Sequence, residues 1–574
     1  MHALLDTVPY IALFAAIGIG VLIGKPSFKG VSLGPVAGTL IAAVVIGQWH
    51  FDIAGPFKAV MFALFIYSIG YVAGPGFVHA FSRKAWRQLV QATFIAAVAL
   101  GTALGLAYVY KLDLGTAAGF TSGAVTQSAI IGTASGAIQG LNLPAATKTA
   151  LEDNIAIAYS ITYLFGTLGA ILLITYVGPL IARQTLVAGA KALEDRDRGG
   201  ASKFEDGTFP EFPPNVERAY TTSIGGKRPV SAVERAIGPG VSVIQVMRAK
   251  AAMAMAGDLI LLDGDEVLVE GPRAAIVQKA ATVIGPESSA LTGTEPVGES
   301  LNAVITNRAL NHKTLAGCKE ALPPGSFHGI RVTGLIRTGQ SVAILPVTEL
   351  RTGDTVTLTG TKELTETLGK LIGYIEKPAS GTDYIWMSAG IIAGILIGLV
   401  NVPVGAGVKI ALGTGGGCMF SGLLFGYLRS LHPTFGQLPA STAAFMKNFG
   451  LIAFIAVVGL AAGPKALATI RQQGWTLVYL GAIVTIVPIV AAQLLGAYVL
   501  RGDLKNSDLL AGSIAGGRSC TAALGSVMTV ADSNAAMLTY PVTYTLAQVY
   551  LTLFGPVIVA VMSSWGPWAV AIAK

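Results

Sequence analysis

The chain has 574 residues, of which 53% are hydrophobic, 12% charged and 71 glycine, with a formal net charge of +8. Soluble globular proteins carry about a quarter charged residues, so a chain with half that share is not soluble throughout. Residues 183–380 hold 22 basic and 22 acidic side chains, leaving 17 and 9 of the chain's 39 and 31 for the flanks. A neutral middle argues against a nucleic-acid partner, and sparse Lys and Arg at the ends of apolar segments act as topology signals.

Apolar stretches of 17 or more residues, long enough to cross about 30 Å of hydrocarbon, run near 9–25, 31–49, 57–79, 89–110 and 153–182. A Gly/Ser/Thr-rich stretch, GTAAGFTSGAVTQSAIIGTASGAIQG at 115–140, precedes the last of them. The start of the chain lacks a basic n-region and a cleavage site, so it reads as the first membrane helix and not as a signal peptide. Basic loops at 25–30 and 80–88 place those turns in the cytoplasm and the N-terminus outside. The last helix of the block then re-enters the cytoplasm at Arg183 only if 115–140 is re-entrant.

The middle block changes period. A polar linker at 183–215 leads into AGDLILLDGDEVLVEGP (256–272), whose short β-type runs divided by Asp-Gly predict a hairpin. LRTGDTVTLTGT (350–361) repeats it 89 positions later, and a helical pattern follows each copy. Two small α+β modules, 216–288 and 289–380, are expected, on the cytoplasmic side.

Apolar stretches return at 384–401, 409–428, 443–463, 474–500 and 535–562, with a second Gly/Ser-rich stretch at 511–530. The order repeats that of the first block, which indicates duplication. GVLIG (20–24) matches GILIG (394–398), and Leu33-Gly34, Gly38 and Gly47 match Leu412-Gly413, Gly417 and Gly426. Gly74-Pro75 matches Gly463-Pro464, AGFTSGAVTQSA (118–129) lies over AGSIAGGRSCTA (511–522), and Asn154, Tyr159 and Tyr163 lie over Asn534, Tyr540 and Tyr544. Five crossings plus one re-entrant segment is an odd count, so the second block, 381–574, runs upside-down relative to the first, 1–182. The expected fold is a polytopic α-helical membrane protein of two inverted repeats with broken helices, carrying an α+β insert.

Paired breaks point to transport. In hydrocarbon, interrupted helices are tolerated only against protein or a water-filled cavity, and transporters aim their free N–H groups at anionic substrates. The first stretch offers Thr121, Ser122, Thr126, Gln127 and Ser128; the second offers Gly516, Gly517, Arg518, Ser519 and Thr521. Small residues at the same places also permit close helix packing. Arg518 is the sharpest candidate, because an intramembrane guanidinium costs roughly 2.5–3.5 kcal/mol and its planar fork matches a carboxylate. A bridge to Asp532 or Asp153, or snorkelling, is the bland alternative. Glu152 and Asp153, read as opening a helix, stand between dipole partner and site, and Asp532 shares that doubt. Asn154 and Asn534 could bond substrate or merely pack, and Lys447 reads as a snorkelling residue at a helix start.

Cys318, Cys418 and Cys520 are far apart and the six histidines isolated, which supports neither a disulfide framework nor a metal site. No P-loop, H-E-x-x-H or G-x-S-x-G is present, so no enzyme activity and no cofactor are expected. A cation channel or cation/proton antiporter regulated by the insert is the competing reading; it lacks a TVGYG-like filter. A membrane-bound sensor is a third reading, and no kinase, cyclase or nucleic-acid-binding signature accompanies the insert.

The arrangement resembles the aspartate:alanine exchanger family. The likeness is carried by the paired Gly-Pro turns, the TSGAVTQSA and AGGRSCTAA stretches, and the GDEVLVEGP and GDTVTLTGT segments. The resemblance implies a bacterial inner-membrane secondary antiporter of amino acids or dicarboxylates, such as aspartate against alanine, or succinate export. It also implies a homodimer, and modules like the C-terminal domain of potassium-channel regulators (TrkA-C) that sense a small regulatory ligand.

Overall fold

The computed structural model describes residues 10–28, 31, 32, 34–49, 51, 55–81, 85–198, 215–249, 251–253, 259–289, 298–323, 326, 327, 329–337, 340–342, 344, 347–376, 381–403, 409–411, 413–431 and 435–566. The chain divides into two compact units: 1–194 with 336–343 and 379–574, and 195–335 with 344–378.

In chain order the first unit begins with α1 (Tyr10–Gly24), α2 (Gly34–Gly47), α3 (Gly55–Ala80) and α4 (Trp86–Val109). Two 11-residue helices follow, α5 (Leu114–Ala124) and α6 (Ala129–Gln139), then α7 (Ala145–Leu172), which continues through a π-helical turn to Ala182. A polar helix, α8 (Leu186–Arg198), ends the block.

The second unit holds β1 (Asn215–Thr221), α9 (Val230–Ile237), β2 (Ser242–Arg248) and β3 (Glu266–Pro272), then β4 (Gly298–Ile305), β5 (Ile330–Arg337), β6 (Thr355–Thr361), α10 (Lys362–Ile372) and β7 (Gly373–Glu376). β3 lies between β1 and β2, antiparallel to both; β6 lies between β5 and β4, and β7 adds to β4. The amphipathic α9 buries Val233 and Ile237 with Val243, Val267 and Val269 of the first sheet. Both repeated Gly-Asp segments are tight turns, with Gly264 at φ 88° and Gly353 at φ 89°, a region glycine enters without strain. Neither turn closes the expected hairpin. Residues before Gly264 (Ile260–Leu261) pair with Arg228–Pro229, and β3 pairs with β1 along seven residues, a longer register than any two-residue run offers.

Asp265 follows the first turn and is buried; Arg248 grips it in a fork, Nε to Oδ1 at 2.8 Å and Nη2 to Oδ2 at 2.7 Å. Burial raises the Asp265 pKa, but the Arg248 and Leu262 N–H bonds and the Arg248 charge outweigh it and hold the group below its ordinary value. A depressed carboxyl stabilises the fold above the ordinary carboxylate range, and that contribution disappears as pH falls through the depressed value. Asp265→Asn is expected to cost this unit about 2 kcal/mol at neutral pH. The deficit against the parent should vanish in acid, as read by pH-dependent hydrogen exchange of β3.

The first unit resumes with α11 (Tyr384–Gly398), α12 (Gly413–Leu431), α13 (Ala440–Leu494), α14 (Ser507–Gly517), α15 (Thr521–Ala531) and α16 (Tyr540–Ser563). The order of long and short helices matches that of the first block, down to the 11-residue pair. Among the described residues, six helical segments are long and apolar enough to cross a membrane. Three elements are shorter than the sequence predicts: α1, α2 and α11 have 15, 14 and 15 residues. Pro26 and Pro403 fall just past the ends of α1 and α11, where the chain enters short antiparallel ribbons, and proline cannot continue a helix ladder. In the other direction, 443–463 and 474–500 are not separate: α13 runs 55 residues with Pro464 and Pro488 inside it.

Glycine sets the spacing of the bundle. A Cβ on Gly394 would strike the Cys418 backbone and one on Gly417 the Gly394 carbonyl, so α11 and α12 touch backbone to backbone. The GTGGG run at 413–417 is part of this contact, the small-residue packing that replaces hydrophobic driving force within lipid.

Candidate functional site

Each Gly/Ser/Thr-rich stretch folds as helix, break, helix. Asp113 caps α5 by accepting from Thr116 N at 3.0 Å and Thr116 Oγ1 at 2.6 Å. Asn506 caps α14 by accepting from Asp508 N at 3.0 Å and Leu509 N at 3.2 Å. Eleven residues rise about 16 Å, half of a hydrocarbon core. The breaks carry left-handed residues, Thr126 at φ 57° and Ser519 at φ 50°, which non-glycine residues seldom adopt.

The first stretch returns to the level at which it enters. Gly115, Gly119 and Gly123 of α5 lie on the carbonyls of Leu151, Ile155 and Tyr159, so α5 runs beside α7 in the same direction. α6 runs back: at its start Ser128 Oγ shares a hydrogen bond with Tyr159 Oη (2.7 Å). Near its end Ser135 and Gln139 donate to Glu152 at 2.6 and 2.8 Å, and Lys148 donates to the Gln139 carbonyl at 2.8 Å. This is a helical hairpin packed along α7. The second stretch follows the same plan: Gly512 and Gly516 lie on the carbonyls of Ala536 and Tyr540. At the start of α15, Thr521 Oγ1 shares a hydrogen bond with Tyr540 Oη at 3.0 Å.

The two breaks meet at Arg518. It closes α14, is fully buried, and donates through Nη2 to the carbonyl of Ala124, the last residue of α5, and through Nη1 to Val484 O at 3.5 Å. Thr126 Oγ1 donates to Arg518 O at 3.3 Å, and Thr485 Oγ1 to Ala124 O at 3.1 Å. The guanidinium thus sits against the C-terminus of α5 and a main-chain carbonyl within α13. Such a helix end favours a cation by up to ~2 kcal/mol in partly buried geometries, so the carbonyls offset part of the roughly 2.5–3.5 kcal/mol insertion penalty. They supply no full negative charge. Among the described residues no carboxylate pairs with Arg518, and its Nε and the neighbouring Ser519 Oγ are buried without a partner.

Of the residues predicted for the site, the fold brings Thr126, Gln127, Ser128, Arg518, Ser519 and Thr521 to the two tips. Thr121 Oγ1 turns back to the Ala117 carbonyl (2.7 Å), Ser122 Oγ pins the break through Gln127 O (2.8 Å), and Gln127 bonds Gln548 (3.1 Å). Gly516 serves the contact with α16, and Gly517 packs on Ile95. The acidic candidates lie elsewhere. Glu152 and Asp153 do not open a helix: Pro144 precedes α7, which starts at Ala145, so both lie beyond the first turn. Their partners are lysines, Lys58 to Glu152 and Lys465 to Asp153, at 2.7 and 2.8 Å. Asp532 is an exposed left-handed C-cap, so neither it nor Asp153 bridges Arg518. Asn534 is exposed at the start of the Ala535–Leu538 turn, and Asn154 lies on α7 beside Asp153, away from the tips.

Sequence reasoning missed the tyrosines. Tyr159 and Tyr540 hold the two tips, and Tyr540 stacks on Tyr544 at 5.2 Å. Their repeated four-residue spacing was the available signal, and it marked the duplication only. Lys447 also departs from expectation. It is the eighth residue of α13, half-buried, with Nζ 3.3 Å from Tyr544 Oη, and it lines a cavity of about 250 Å³ with Ser68 and Asn448.

A helical bundle of membrane-crossing length, interrupted at two matched places around a buried cation, defines a multi-pass membrane permease. The chain belongs to the aspartate:alanine exchanger family: residues 12–179 and 386–560 match that family's predicted permease membrane region. It is similar to uncharacterized transporters along essentially its whole length. One from Zymomonas mobilis is 36% identical, covering 98% of this chain and 99% of its own. One from Bradyrhizobium diazoefficiens is 35% identical (97% and 98%), and one from Francisella tularensis 32% (97% of each). No solved structure matches the chain.

Proposed function

We propose that this permease is a secondary antiporter that exchanges small carboxylates or amino acids, such as aspartate against alanine or succinate, across the bacterial inner membrane. The carrying observation is Arg518: a fully buried guanidinium whose partners among the described residues are all carbonyl oxygens, with its Nε unpartnered. A substrate carboxylate supplies the missing charge, and Thr126, Ser128, Ser519 and Thr521 at the two tips supply hydroxyls around it. The matched order of helices and the helical hairpins support two inverted repeats with the site where they meet. On this reading residues 183–380 lie in the cytoplasm as two TrkA-C-like modules open to a small regulatory ligand, and the protein works as a homodimer.

Binding to the native state raises stability by mass action, about 2.7 kcal/mol at a hundredfold excess over Kd. Thermal unfolding of the purified protein across a panel of amino acids and dicarboxylates should therefore single out the cargo. A panel in which only inorganic cations stabilise the protein contradicts the proposal.

A further inference from the structure

Two cavities flank the crossing of α3 with α13. The larger, about 250 Å³, is walled by Ser68, Ile69 and Val72 of α3, Lys447 and Asn448 of α13, and Tyr544. The smaller, about 100 Å³, is walled by Val457, Val458 and Ala461 of α13, Lys58 of α3, and Glu152. They occupy equivalent places. Residues 55–75 and 444–464 align without a gap at a spacing of 389, which sets Lys58 over Lys447, Phe65 over Phe454, Gly70 over Gly459 and Gly74-Pro75 over Gly463-Pro464. The same spacing carries Ser68, Ile69 and Val72 onto Val457, Val458 and Ala461. The crossing itself falls on a matched pair, since a Cβ on Gly450 would meet the carbonyl of Met61 at 2.8 Å. A two-fold relation between the blocks requires such a self-matched contact.

The two lysines differ in what they face. Lys58 reaches Glu152 at 2.7 Å, and that carboxylate also accepts from Ser135 and Gln139; Asp153, paired with Lys465, lines the cavity too, so the smaller cavity has anions of its own. Lys447 faces the Tyr544 hydroxyl at 3.3 Å and ring at 5.9 Å, and among the described residues no carboxylate lines its cavity. An ammonium held within membrane helices normally has a counter-charge or a function. A cavity of about 150 Å³ already accepts a benzene-sized molecule, so the larger one has room for a small organic acid. It also adjoins the buried arginine's hairpin, because Tyr544 packs on Gly516 and stacks on Tyr540.

We propose that the Lys447 cavity is a binding station for a small carboxylate, with Lys447, the Asn448 amide and the Tyr544 hydroxyl as its donors. The Lys58–Glu152 pair is the same station in its closed state, Glu152 standing where the cargo would. The assignment presupposes a carboxylate cargo, the reading proposed for the permease as a whole.

The test uses the full-length protein in proteoliposomes with Ala444→Cys in the cavity wall. The parent chain, whose three cysteines are buried, gives the background. Labelling by a water-soluble thiol reagent is timed with aspartate, alanine, succinate or acetate present, and with neutral succinamide or potassium chloride as controls. At least one carboxylate should slow labelling threefold or more, the controls should not, and Lys447→Arg should keep the protection that Lys447→Gln loses. No protection by any carboxylate, equal protection by succinamide, or protection that persists in Lys447→Gln overturns the station. The succinate-against-succinamide comparison decides even if the Lys447 variants fail to fold. If Arg518-dependent carboxylate exchange is intact while labelling is unprotected, the station fails and the transport reading stands; loss of both removes the two together.

Discussion

Arg518→Ala should lower carboxylate exchange by two orders of magnitude or more, and Arg518→Lys by at least one. Removing one partner of a buried, hydrogen-bonded charge pair costs about 2–5 kcal/mol, and each 1.4 kcal/mol is tenfold. Lysine keeps the charge but loses the planar fork, so it cannot bond the Ala124 carbonyl and a carboxylate in the same geometry. Because Arg518 also joins the two hairpins, the variants should be checked for monodispersity, and initial rates should be compared per folded protein. A permease that exchanges at the parent rate with alanine at 518 has its cargo elsewhere.

Gly123→Ala and Gly516→Ala, at matched places in the two hairpins, should each abolish transport and lower the unfolding temperature. A Cβ on Gly123 would fall on Thr162 Oγ1, Tyr159 O and Tyr163 N, and one on Gly516 on Thr543 Oγ1, Tyr540 O and Tyr544 N. Two of the three obstacles in each case are backbone, which cannot change rotamer, so the hairpin must shift away from its long helix. Overpacking of this kind costs about 1–3 kcal/mol, and it moves the tip that carries Thr126 or Arg518. Gly101→Ala and Gly105→Ala of α4 meet nothing within 4 Å and should behave as the parent does. Differential scanning of all four variants checks the contrast; equal behaviour would show that the hairpins are not seated on α7 and α16 as described.

The membrane class, the two blocks and the broken segments were legible because they rest on composition and local pattern. Missing charge, apolar runs of spanning length and two Gly/Ser-rich stretches need no tertiary information. Topology arithmetic alone called for 115–140 to turn back, and the contacts of Ser128, Ser135 and Gln139 on α7 describe a helical hairpin there. Arg518 was legible too, since an arginine in an apolar segment is conspicuous. Its partners were not: the guanidinium bonds main-chain carbonyls of Ala124 and Val484, which carry no residue-type signal. The tyrosines holding the tips and the cavity around Lys447 depend on which faces of distant helices meet. Glu152 and Asp153 were misplaced for a related reason, because the polar AATKT run hid the start of α7. Likewise the Asp-Gly signal marked a turn, but strand pairing is non-local, and β3 found β1.

Counterflow in proteoliposomes tests the central claim most directly. Vesicles loaded with unlabelled aspartate, alanine or succinate are diluted into buffer containing a labelled carboxylate or amino acid, and uptake is followed with and without internal substrate. The account predicts uptake that requires an internal carboxylate or amino acid and falls in Arg518→Ala. Sodium or potassium flux without any organic substrate, and no trans-stimulated uptake across the panel, would contradict it.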